Sequence, residues 1–570
     1  MASMKQLEGL PYDPGNPPWI KSYDPWVPPR VEVPDELLHE MLANTAVKYP
    51  DAAAVTYYGE TIRYRRLYNE TLRVAQGLAE QGVRQGDCVA LVMANTPHYI
   101  TIAYGAMLLG ARACLFNPLW SAFQIEENAR KLGAKLIVIN DVVQARVGLD
   151  PEKYTLVLAN IDDYGGFRWK LMIKTARILG KLPKIQHRNK HIHYKQLLEN
   201  PPIQEAYRGD PKKTVAAMLF TGGTTGVPKA VMLSHKNIRA NILYQRIWFN
   251  RKEAHDRVLG LLPFFHAYGF GSILGLSINI AANLILMIRF DPHKLVDTII
   301  KHKINLVPAA PTIYLSLLRT VPEKKLRRIR GVSEICFSGA APLPVEVIRR
   351  WEEVTGCRIV EGYGLTETSP VAAANPIKGK RKHGSIGLPM PNTLLSTADP
   401  IEPVMVDGTG EIVISGEQVM LGYYGLEEEN KRAFFECCGR RWLRTGDIGY
   451  MDEEGYFFIV DRKKDVIKYK GHSIYPRPIE ETLYEHPCVA EAAVIGVPAP
   501  EVGENIKAFI ALKPECRGRI TPEELKEWAK QRLGLLEYPR IIEFRDELPK
   551  SLAGKILRRV LREEELKKRQ

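Results

Sequence analysis

Glycine, threonine and lysine residues cluster in one short stretch whose chemistry suits phosphate binding. After an apolar run come Thr221, Gly222, Gly223, Thr224, Thr225 and Gly226. Glycines let backbone N–H groups approach a phosphate, threonine hydroxyls add donors or a metal ligand, and Lys229 adds charge. The stretch is no Walker A loop, because Pro228 precedes the lysine and Ala230 follows it. Taken alone, it is equally consistent with a flexible Gly/Thr loop.

A second segment combines an aromatic ring, a hydroxyl and a carboxylate within a few residues of an apolar strand. Tyr363 offers the ring, Thr366 the hydroxyl and Glu367 the carboxylate. A hard cation such as Mg²⁺ that is bound to phosphates takes one or two protein carboxylates. The segment therefore suits a metal–nucleotide site, although by itself it also fits an ordinary turn.

Two single side chains stand in turns further along the chain. Asp447 follows a Thr-Gly turn and suits the two hydroxyls of a ribose. Lys555 lies in a glycine-containing loop just before the last helical pattern. Each has an alternative as a turn or cap residue, so the argument depends on their occurring together.

These segments occur in the order typical of the AMP-forming acyl-CoA synthetase superfamily, which the chain resembles from about residue 35 to about 560. The motifs are FTGGTTGVPKAVMLSH, GYGLTETSP, LRTGDIGYMDEEGYFFIVDRKKDVIK and FRDELPKSLAGKILRRVL. Within the superfamily they are most similar to bacterial long-chain fatty-acid–CoA ligases. One departure is Ala230, where the family usually has glycine, a change expected to stiffen the phosphate loop.

The resemblance implies a two-step reaction that uses ATP, Mg²⁺ and CoA. A carboxylate attacks the α-phosphate of MgATP to give acyl-AMP and pyrophosphate, and the CoA thiol then displaces AMP. The implied acid is a long-chain fatty acid. A medium-chain or aryl acid, or transfer of the acyl group to a carrier protein, remains an alternative. A non-catalytic lipid-binding scaffold on this fold is a further one, against which the intact Glu367, Asp447 and Lys555 argue.

The resemblance also implies a role for each residue that matches a family motif. The segment 221–229 would cradle the β and γ phosphates. Thr221 and Glu367 would bind Mg²⁺, and Thr366 would contact the α-phosphate. Tyr363 would stack on adenine. The other residues of the nucleotide pocket would be Gly339, Ala340, Glu361, Gly362, Asp447 and Arg462.

The remaining roles concern the acyl group and the second step. Lys555 resembles the family lysine that bridges the carboxylate and the α-phosphate during adenylation. His266 matches a motif at the mouth of the acyl pocket, with a buried structural histidine as the alternative. In the family the small domain then turns about a hinge, here Lys464, and presents a second face for thioester formation. That face would include Lys468, Gly471 and Ser473.

Strand-like apolar runs alternate with helical patterns along the chain, which predicts sheets covered by helices. The predicted fold class is α/β: a large N-terminal domain of several subdomains with parallel or mixed sheets (35–461). A hinge (462–465) joins it to a small, mobile α+β domain (466–570). Residues 1–34, rich in Pro, Trp and Tyr, predict an extended arm. Residues 150–210 interrupt the alternation as an insertion.

Several elements can be placed more closely. We expect helices over 73–81 and 122–132 and a strand over 88–93. Thr521, followed by Pro522 and by Glu524, predicts a capped helix that runs to residue 533. Residues 258–288 contain no Asp, Glu, Lys or Arg. Their prolines, glycines and asparagines favour strand, loop, helix and strand over a membrane span.

The insertion contains a segment with an amphipathic helical pattern. Its basic residues recur at steps of four and three and form one stripe: Lys170, Lys174, Arg177, Lys181 and Lys184. Apolar residues lie opposite: Leu171, Met172, Ile178, Leu179 and Leu182. This pattern is typical of a helix that lies in an anionic membrane surface. A helix packed on its own domain is the alternative.

Composition and net charge exclude several classes of protein. The 570 residues are 45% hydrophobic and 25% charged, as in globular proteins, which excludes collagen-like, disordered and disulfide-scaffold classes. The net charge of +14 attracts phosphates, nucleic acid or anionic lipid. Since no nucleic-acid-binding motif occurs, we expect no nucleic-acid partner. The eight cysteines are irregularly spaced and MASMKQLEGL lacks a signal-peptide core, which predicts free thiols in a cytoplasmic protein. A homodimer is left open.

Overall fold

The computed structural model describes residues 5–7, 9–182, 191–221, 228–341, 343–470, 472–550 and 556–568. Within these ranges the strands are β1 (Lys5–Leu7), β2 (Ala53–Tyr57), β3 (Glu60–Arg63), β4 (Cys88–Val92), β5 (Arg112–Leu115), β6 (Ala134–Asn140), β7 (Leu156–Ala159), β8 (Ile192–His193), β9 (Val215–Thr221), β10 (Lys229–Ser234), β11 (Arg257–Gly260), β12 (Asn283–Leu286), β13 (Leu306–Ala309), β14 (Ile335–Ser338), β15 (Arg358–Gly364), β16 (Val371–Ala374), β17 (Ser385–Pro389), β18 (Leu394–Ala398), β19 (Met405–Asp407), β20 (Gly410–Ser415), β21 (Gly422–Tyr423), β22 (Phe434–Cys437), β23 (Arg440–Met451), β24 (Phe457–Arg462), β25 (Ile467–Tyr469), β26 (His472–Ile474), β27 (Val489–Ala499), β28 (Gly503–Leu512) and β29 (Ile541–Arg545).

The α-helices in the same ranges are α1 (Leu38–Lys48), α2 (Tyr64–Glu80), α3 (Pro97–Leu108), α4 (Ala122–Leu132), α5 (Asp141–Val147), α6 (Phe167–Ile178), α7 (Tyr194–Leu198), α8 (His235–Trp248), α9 (Leu276–Asn279), α10 (Pro292–His302), α11 (Pro311–Thr320), α12 (Glu323–Leu326), α13 (Val345–Thr355), α14 (Glu427–Ala433), α15 (Pro476–Tyr484), α16 (Pro522–Lys530) and α17 (Arg558–Lys567). Short 3₁₀ helices span Pro18–Ser22, Arg327–Ile329, Thr366–Thr368 and Pro514–Cys516, and a π-helix spans Tyr268–Gly275.

The described strands form three sheets. A 16-stranded mixed sheet follows the order β1-β19-β18-β20-β23-β24-β17-β16-β15-β14-β13-β11-β12-β2-β3, with β22 beside β23. An 8-stranded sheet follows β21-β10-β9-β5-β4-β6-β7-β8, and a 5-stranded sheet contains β25 to β29. The parallel run β12-β11-β13-β14-β15 lies within the first sheet. Sheets and helices of this kind are the predicted α/β architecture.

Burial explains why apolar runs form the central strands. Every residue of β4 is buried, and so are all twelve residues of α3, which packs against β4 and β5. A strand covered on both faces needs a continuous apolar sequence rather than an alternating one. The same holds for β13 and β14, whose residues are all buried beneath the loops that carry the candidate site.

Most placed elements are confirmed within a residue or two. The predicted helix 122–132 matches α4, and Thr521 accepts from the backbone N–H of Glu524 as the N-cap of α16. The predicted helix 73–81 is too short, because α2 begins at Tyr64. The N-terminal arm is also more ordered than expected, since it contains β1 and a 3₁₀ helix, and Trp19 is buried.

The uncharged stretch 258–288 folds as predicted. It runs from β11 through a loop, the π-helix and α9 into β12. In the part of the chain that the structure describes, no helix is long and apolar enough to cross a membrane.

The expectation of free thiols is wrong for four cysteines. Cys88 is joined to Cys114, and Cys488 to Cys516, as disulfides. The first pair lies on the neighbouring parallel strands β4 and β5, where Cys88 is in register with Arg112. Spacing along the sequence could not show that residues on two successive strands become neighbours across the sheet.

Helix α6 is anchored by one face. The Trp169 ring stacks on Tyr58 with centroids 3.8 Å apart, and Ile173 is buried. One turn further, Arg177 ion-pairs with Asp162 at 2.8 Å. The prediction that Arg177 belongs to an outward basic stripe is therefore wrong: this guanidinium binds carboxylates of its own domain.

The rest of α6 faces outward with its apolar side chains exposed. The relative exposures are Phe167 80%, Leu171 51%, Met172 54%, Ile178 69% and Leu179 63%. Lys170, Lys174 and Lys181 are exposed among them, and Lys184 lies outside the described residues. The helix does pack on its own domain, but that contact leaves most of its apolar side chains uncovered.

Candidate active site

Asp447, on β23 of the large sheet, is the centre of a polar cluster. Its carboxylate accepts a hydrogen bond from the Tyr363 hydroxyl at 2.6 Å on Oδ2, and Arg462 Nε lies 3.1 Å from Oδ1. Asp447 is only 3% exposed and is directly opposite Arg462 in the β23–β24 ladder. The structure thus brings together three residues from two separate motifs of the sequence.

Electrostatics hold this cluster in one ionisation state. Burial, together with the neighbouring Asp447 carboxylate, raises the pKa of Tyr363 well above its ordinary value. The same carboxylate raises the pKa of Arg462. The phenol therefore stays neutral and can donate a hydrogen bond, and the guanidinium stays positively charged, at every working pH. The Asp447 carboxylate thus always has one donor and one cation beside it.

Glu367 lies in the 3₁₀ turn 366–368 that packs against β9 and β10. The Tyr423 hydroxyl donates to its Oε1 at 2.8 Å. Burial raises the pKa of Glu367, while the Tyr423 hydrogen bond and the charges of Arg462 and Lys229 act in the opposite direction. The carboxyl group is therefore under an electrostatic penalty that a bound cation would relieve.

Lys229 joins this region from the start of β10. Its ammonium group forms an ion pair with Glu429 and lies 5.0 Å from the centroid of the Tyr423 ring. Sequence reasoning missed Tyr423 and Glu429. The available signal was the Gly-Tyr-Tyr-Gly stretch followed by three glutamates at 422–429.

Two strand ends form the floor of the candidate pocket. Gly339 and Ala340 follow β14, and Ala340 adopts a left-handed backbone conformation with φ of 73°. Gly362 has no room for a side chain, because a Cβ there would lie 2.4 Å from the Phe337 ring. Glu361, beside it on β15, is half-buried, and the loss of solvent around its carboxyl group raises its pKa to about 7.

Predicted residue His266 lies in a different environment from the polar cluster. It precedes the π-helix, and its ring is tilted against Phe265 at 4.3 Å between centroids. Burial lowers the pKa of His266 to about 4. The ring is therefore neutral near pH 7 and can serve as a hydrogen-bond partner but not as a cation.

The residues predicted for the second step lie near and beyond the end of β24. Lys464 is exposed in the turn between β24 and β25, where partial desolvation and the Arg462 charge lower its pKa. Lys468 is exposed on β25 of the 5-stranded sheet, where its backbone N–H donates to Glu504 at 2.7 Å.

Several predicted residues cannot be placed. Gly222, Gly223, Thr224, Thr225, Gly226, Gly471 and Lys555 lie outside the described residues, as does the side chain of Ser473. Thr221 is the last residue of β9 and borders the first of these gaps. Ala230 belongs to β10, where its methyl group packs in the apolar core, so it lies outside the gap 222–227.

The residues present fit the predicted Mg²⁺, although none of them could hold it alone. Among the described residues no group of three or more His, Cys, Asp and Glu side chains could ligate a metal ion. A nucleotide-bound Mg²⁺ needs only one or two carboxylates, because phosphates and water supply the other ligands. Glu367, half-buried and with Oε2 free of the Tyr423 hydrogen bond, suits that role.

The arrangement defines an AMP-binding enzyme, and comparison with known proteins agrees. The family model described as AMP-binding enzyme matches residues 42–424, and that of the AMP-binding enzyme C-terminal domain matches residues 478–555. The chain belongs to this family. The predicted superfamily and fold class are thereby confirmed.

Relatives extend over nearly the whole chain. It is 37% identical to a long-chain-fatty-acid–CoA ligase of Bacillus subtilis and 32% identical to one of Yersinia pestis, with 96% of this chain and 98% of each relative covered. The structure matches ATP-bound MatB from Rhodopseudomonas palustris with a TM-score of 0.79 and 25% identity, over 93% of this chain and 99% of that one. The predicted AMP-forming acyl-CoA ligase function is confirmed at the level of the family.

Proposed function

We propose that this chain is a long-chain fatty-acid–CoA ligase that forms acyl-AMP from the acid and MgATP and then transfers the acyl group to CoA. The observation that carries the proposal is the cluster in which Tyr363 and Arg462 contact the buried carboxylate of Asp447, beside Glu367 and Lys229. The cluster lies next to residues 339–340 and 361–362, which belong to the carboxyl ends of parallel strands, where open α/β sheets bind ligands. Near-full-length similarity to long-chain ligases supports the choice of acid.

In this proposal the nucleotide lies across the strand ends. Asp447 accepts hydrogen bonds from the two ribose hydroxyls, with Arg462 and the Tyr363 hydroxyl fixing its orientation. The Tyr363 ring and residues 339–340 and 361–362 enclose adenine, and Thr366 approaches the α-phosphate. Lys229 and the segment 221–226 neutralise the outer phosphates. Mg²⁺, held by Glu367 and Thr221, would supply charge neutralisation at the phosphates.

In this proposal, residues further along the chain bind the carboxylate of the acid and the thiol of CoA. We assign Lys555 to the charge that develops between the carboxylate and the α-phosphate, where a positioned cation can contribute several kcal/mol. The division into domains 35–461 and 466–570 with a hinge at 462–465 is part of this proposal. Lys464 is the pivot, and Lys468, Gly471 and Ser473 form the face that accepts CoA.

A small cavity with a mainly apolar lining lies behind the candidate site. Its volume is about 20 Å³, and Val258, Ser272, Leu306 and Phe337 are among its lining residues. The lining suits a hydrocarbon, but a long acyl chain would have to open this space further. Phe337 precedes Gly339 by two residues, and the hydroxyl of Tyr268 donates to its carbonyl oxygen. A chain that enters past His266 and Tyr268 would reach this cavity from the carboxylate side.

The experiment is CoA-dependent AMP release measured across saturated acids from acetate to stearate, with benzoate and coumarate included. We expect kcat/KM to reach its maximum at twelve carbons or more, since each buried methylene contributes about 0.8 kcal/mol. A maximum at short or aromatic acids would contradict the long-chain assignment but keep the adenylation chemistry.

We further propose that α6 docks the enzyme on the surface of an anionic membrane. Phe167, Leu171 and Ile178 are exposed, and so are Lys170 and Lys174, so apolar insertion and attraction to anionic headgroups can act together on this helix. Fatty acids partition into membranes, which would place substrate and enzyme together. The proposed location is the cytoplasm, with this peripheral contact on the inner membrane face. The homodimer remains a prediction.

Vesicle sedimentation tests the docking. Changing Lys170, Lys174 and Lys181 together to glutamine should lower binding to anionic vesicles while leaving activity on a short soluble acid unchanged. The matched control changes three exposed lysines elsewhere on the large domain: Lys301, Lys303 and Lys324. Equal binding of both triple variants would contradict a specific role for α6.

A further inference from the structure

Two buried cysteines lie side by side in the sheet that carries the candidate site. Cys336 is in β14, and Cys357 directly precedes β15. Their Sγ atoms are not joined in the structure but lie 2.6 Å apart, closer than the about 3.5–4.0 Å optimum of non-bonded heavy atoms. Both are fully buried in one apolar cluster, at 0% and 1% exposure. The pair is thus at bonding proximity without a described metal or polar group between its members.

The cysteine pair lies diagonally across two neighbouring parallel strands, as one of the disulfides does. Cys336 is opposite Ile359, and Cys357 lies two residues before Ile359. Cys88 is opposite Arg112, and its partner Cys114 lies two residues after Arg112, so the two offsets have the same size but opposite directions. An offset of two keeps both side chains on the same face of the sheet, because side chains alternate along a strand. A diagonal pair of this spacing is therefore bonded once in this chain.

The environment argues against a reactive or metal-binding role. Burial and the neighbouring Cys336 raise the pKa of Cys357 far above that of a free thiol. Thiolates are the nucleophiles and the metal ligands, so this pair is suited to neither task. Among the described residues it also belongs to no group of potential metal ligands. Its suitable chemistry is a covalent link between two thiols.

We propose that Cys336 and Cys357 form a third disulfide that ties β14 to β15 behind the nucleotide pocket. Two S–H bonds break and one S–S bond forms. The exchange takes place while the chain folds, before the thiols are buried: one cysteine thiolate attacks a low-molecular-weight disulfide such as oxidised glutathione, and the second then displaces the attached half, so that the two electrons and two protons leave with two small thiols. The strands it joins lead into residues 339–340 and 361–363, so the bond limits how far these two pocket segments can separate.

Two assigned disulfides already indicate that this chain forms such bonds. Intracellular disulfides are rare in mesophiles but frequent in intracellular proteins of hyperthermophiles. A third bond would leave Cys437 and Cys438 as the remaining cysteines. The inference does not depend on the identity of the acid substrate, so it can fail or succeed independently of the proposed function.

The direct test is a peptide map of the full-length protein, denatured and alkylated with iodoacetamide without reductant. Trypsin can separate the two cysteines at Arg349 or Arg350. We expect a linked pair of peptides that contains Cys336 and Cys357, converted by reductant into two separate ones. Carbamidomethyl groups on both cysteines before reduction would overturn the proposal.

Serine variants give a second readout. Without reductant, Cys336→Ser, Cys357→Ser and the double variant should lower the thermal midpoint by a similar amount, because each removes the same bond. Each single variant should also gain one alkylated cysteine. Cys438→Ser is the control and should leave the 336–357 link intact. If the losses in thermal midpoint of the two single variants add up in the double variant, the two cysteines act independently through packing, which would contradict a bond. Should the variants fail to fold, the peptide map of the parent protein decides.

Discussion

The nucleotide pocket and helix α6 use polar and apolar side chains in opposite ways. Around Asp447 the polar groups are buried and partnered: the Tyr363 hydroxyl and the Arg462 guanidinium each contact the carboxylate. On α6 the apolar groups are exposed, and Phe167 keeps 80% of its surface in solvent. Buried polar groups persist only when they are paired, whereas exposed apolar groups of this number indicate a contact with something outside the chain.

The two regions bind their ligands in different ways. In the pocket the folded sheet holds donors and charges at fixed positions, so a single substitution there should lower activity by a large factor. Helix α6 offers exposed apolar area and several separate charges. Each substitution there should therefore lower membrane binding only slightly, and the losses from several substitutions should add up. The predictions below test this contrast in order of expected size.

Lys555→Ala should have the largest effect. Removing the cation at the reacting carboxylate should lower acid-dependent ATP–pyrophosphate exchange by about 10³-fold, since one positioned donor is worth about 10²–10³ in comparable sites. Thioester formation from supplied acyl-AMP should change far less. Equal loss of both half-reactions would contradict the assignment of Lys555 to adenylation alone.

Asp447→Asn should come next. The amide keeps the shape but loses the charge that pairs with Arg462, so kcat/KM for ATP should fall about 100-fold. Asp407→Asn, in an exposed position on β19 of the same sheet, is the matched control. A comparable loss in the control, or none at Asp447, would break the contrast between fixed and distributed interactions.

Glu361 makes stability depend on pH. Its folded pKa, raised by burial to about 7 from an ordinary 4.5, means that the folded state holds a proton more tightly than the unfolded one. This contribution, at most about 3 kcal/mol, is present below pH 4.5 and is lost as pH rises through 7. The thermal midpoint of Glu361→Gln should therefore fall less between pH 5 and pH 8 than that of the parent. Parallel curves would refute the buried-acid explanation.

Substitutions on α6 should have the smallest effects on the folded protein. Phe167→Ser and Leu171→Ser should change the free energy of unfolding by less than about 0.5 kcal/mol, because both side chains are exposed. Together they should lower vesicle binding several-fold. Ile173→Ser, on the buried face, should lower the thermal midpoint instead. Destabilisation by the exposed pair would mean that the domain itself covers this face.

Local patterns allowed much of the fold to be predicted. The helical pattern over 122–132 predicted α4, and the Thr521 cap predicted the start of α16, because these signals act within a few residues. Contacts across the sheet could not be predicted. Residue types alone did not indicate that Tyr363 would donate to Asp447, that Arg177 would turn inward, or that strands β4 and β5 would bring two cysteines together. These depend on strand order and on how elements pack, which no local pattern encodes.

The central claim is that the Asp447 cluster activates a fatty acid through an adenylate. Its most direct test is ATP–pyrophosphate exchange without CoA, measured with and without hexadecanoate, in the parent and in Asp447→Asn. We predict exchange that requires the acid in the parent and falls about 100-fold in the variant. Acid-independent exchange, or equal exchange in both proteins, would contradict the account.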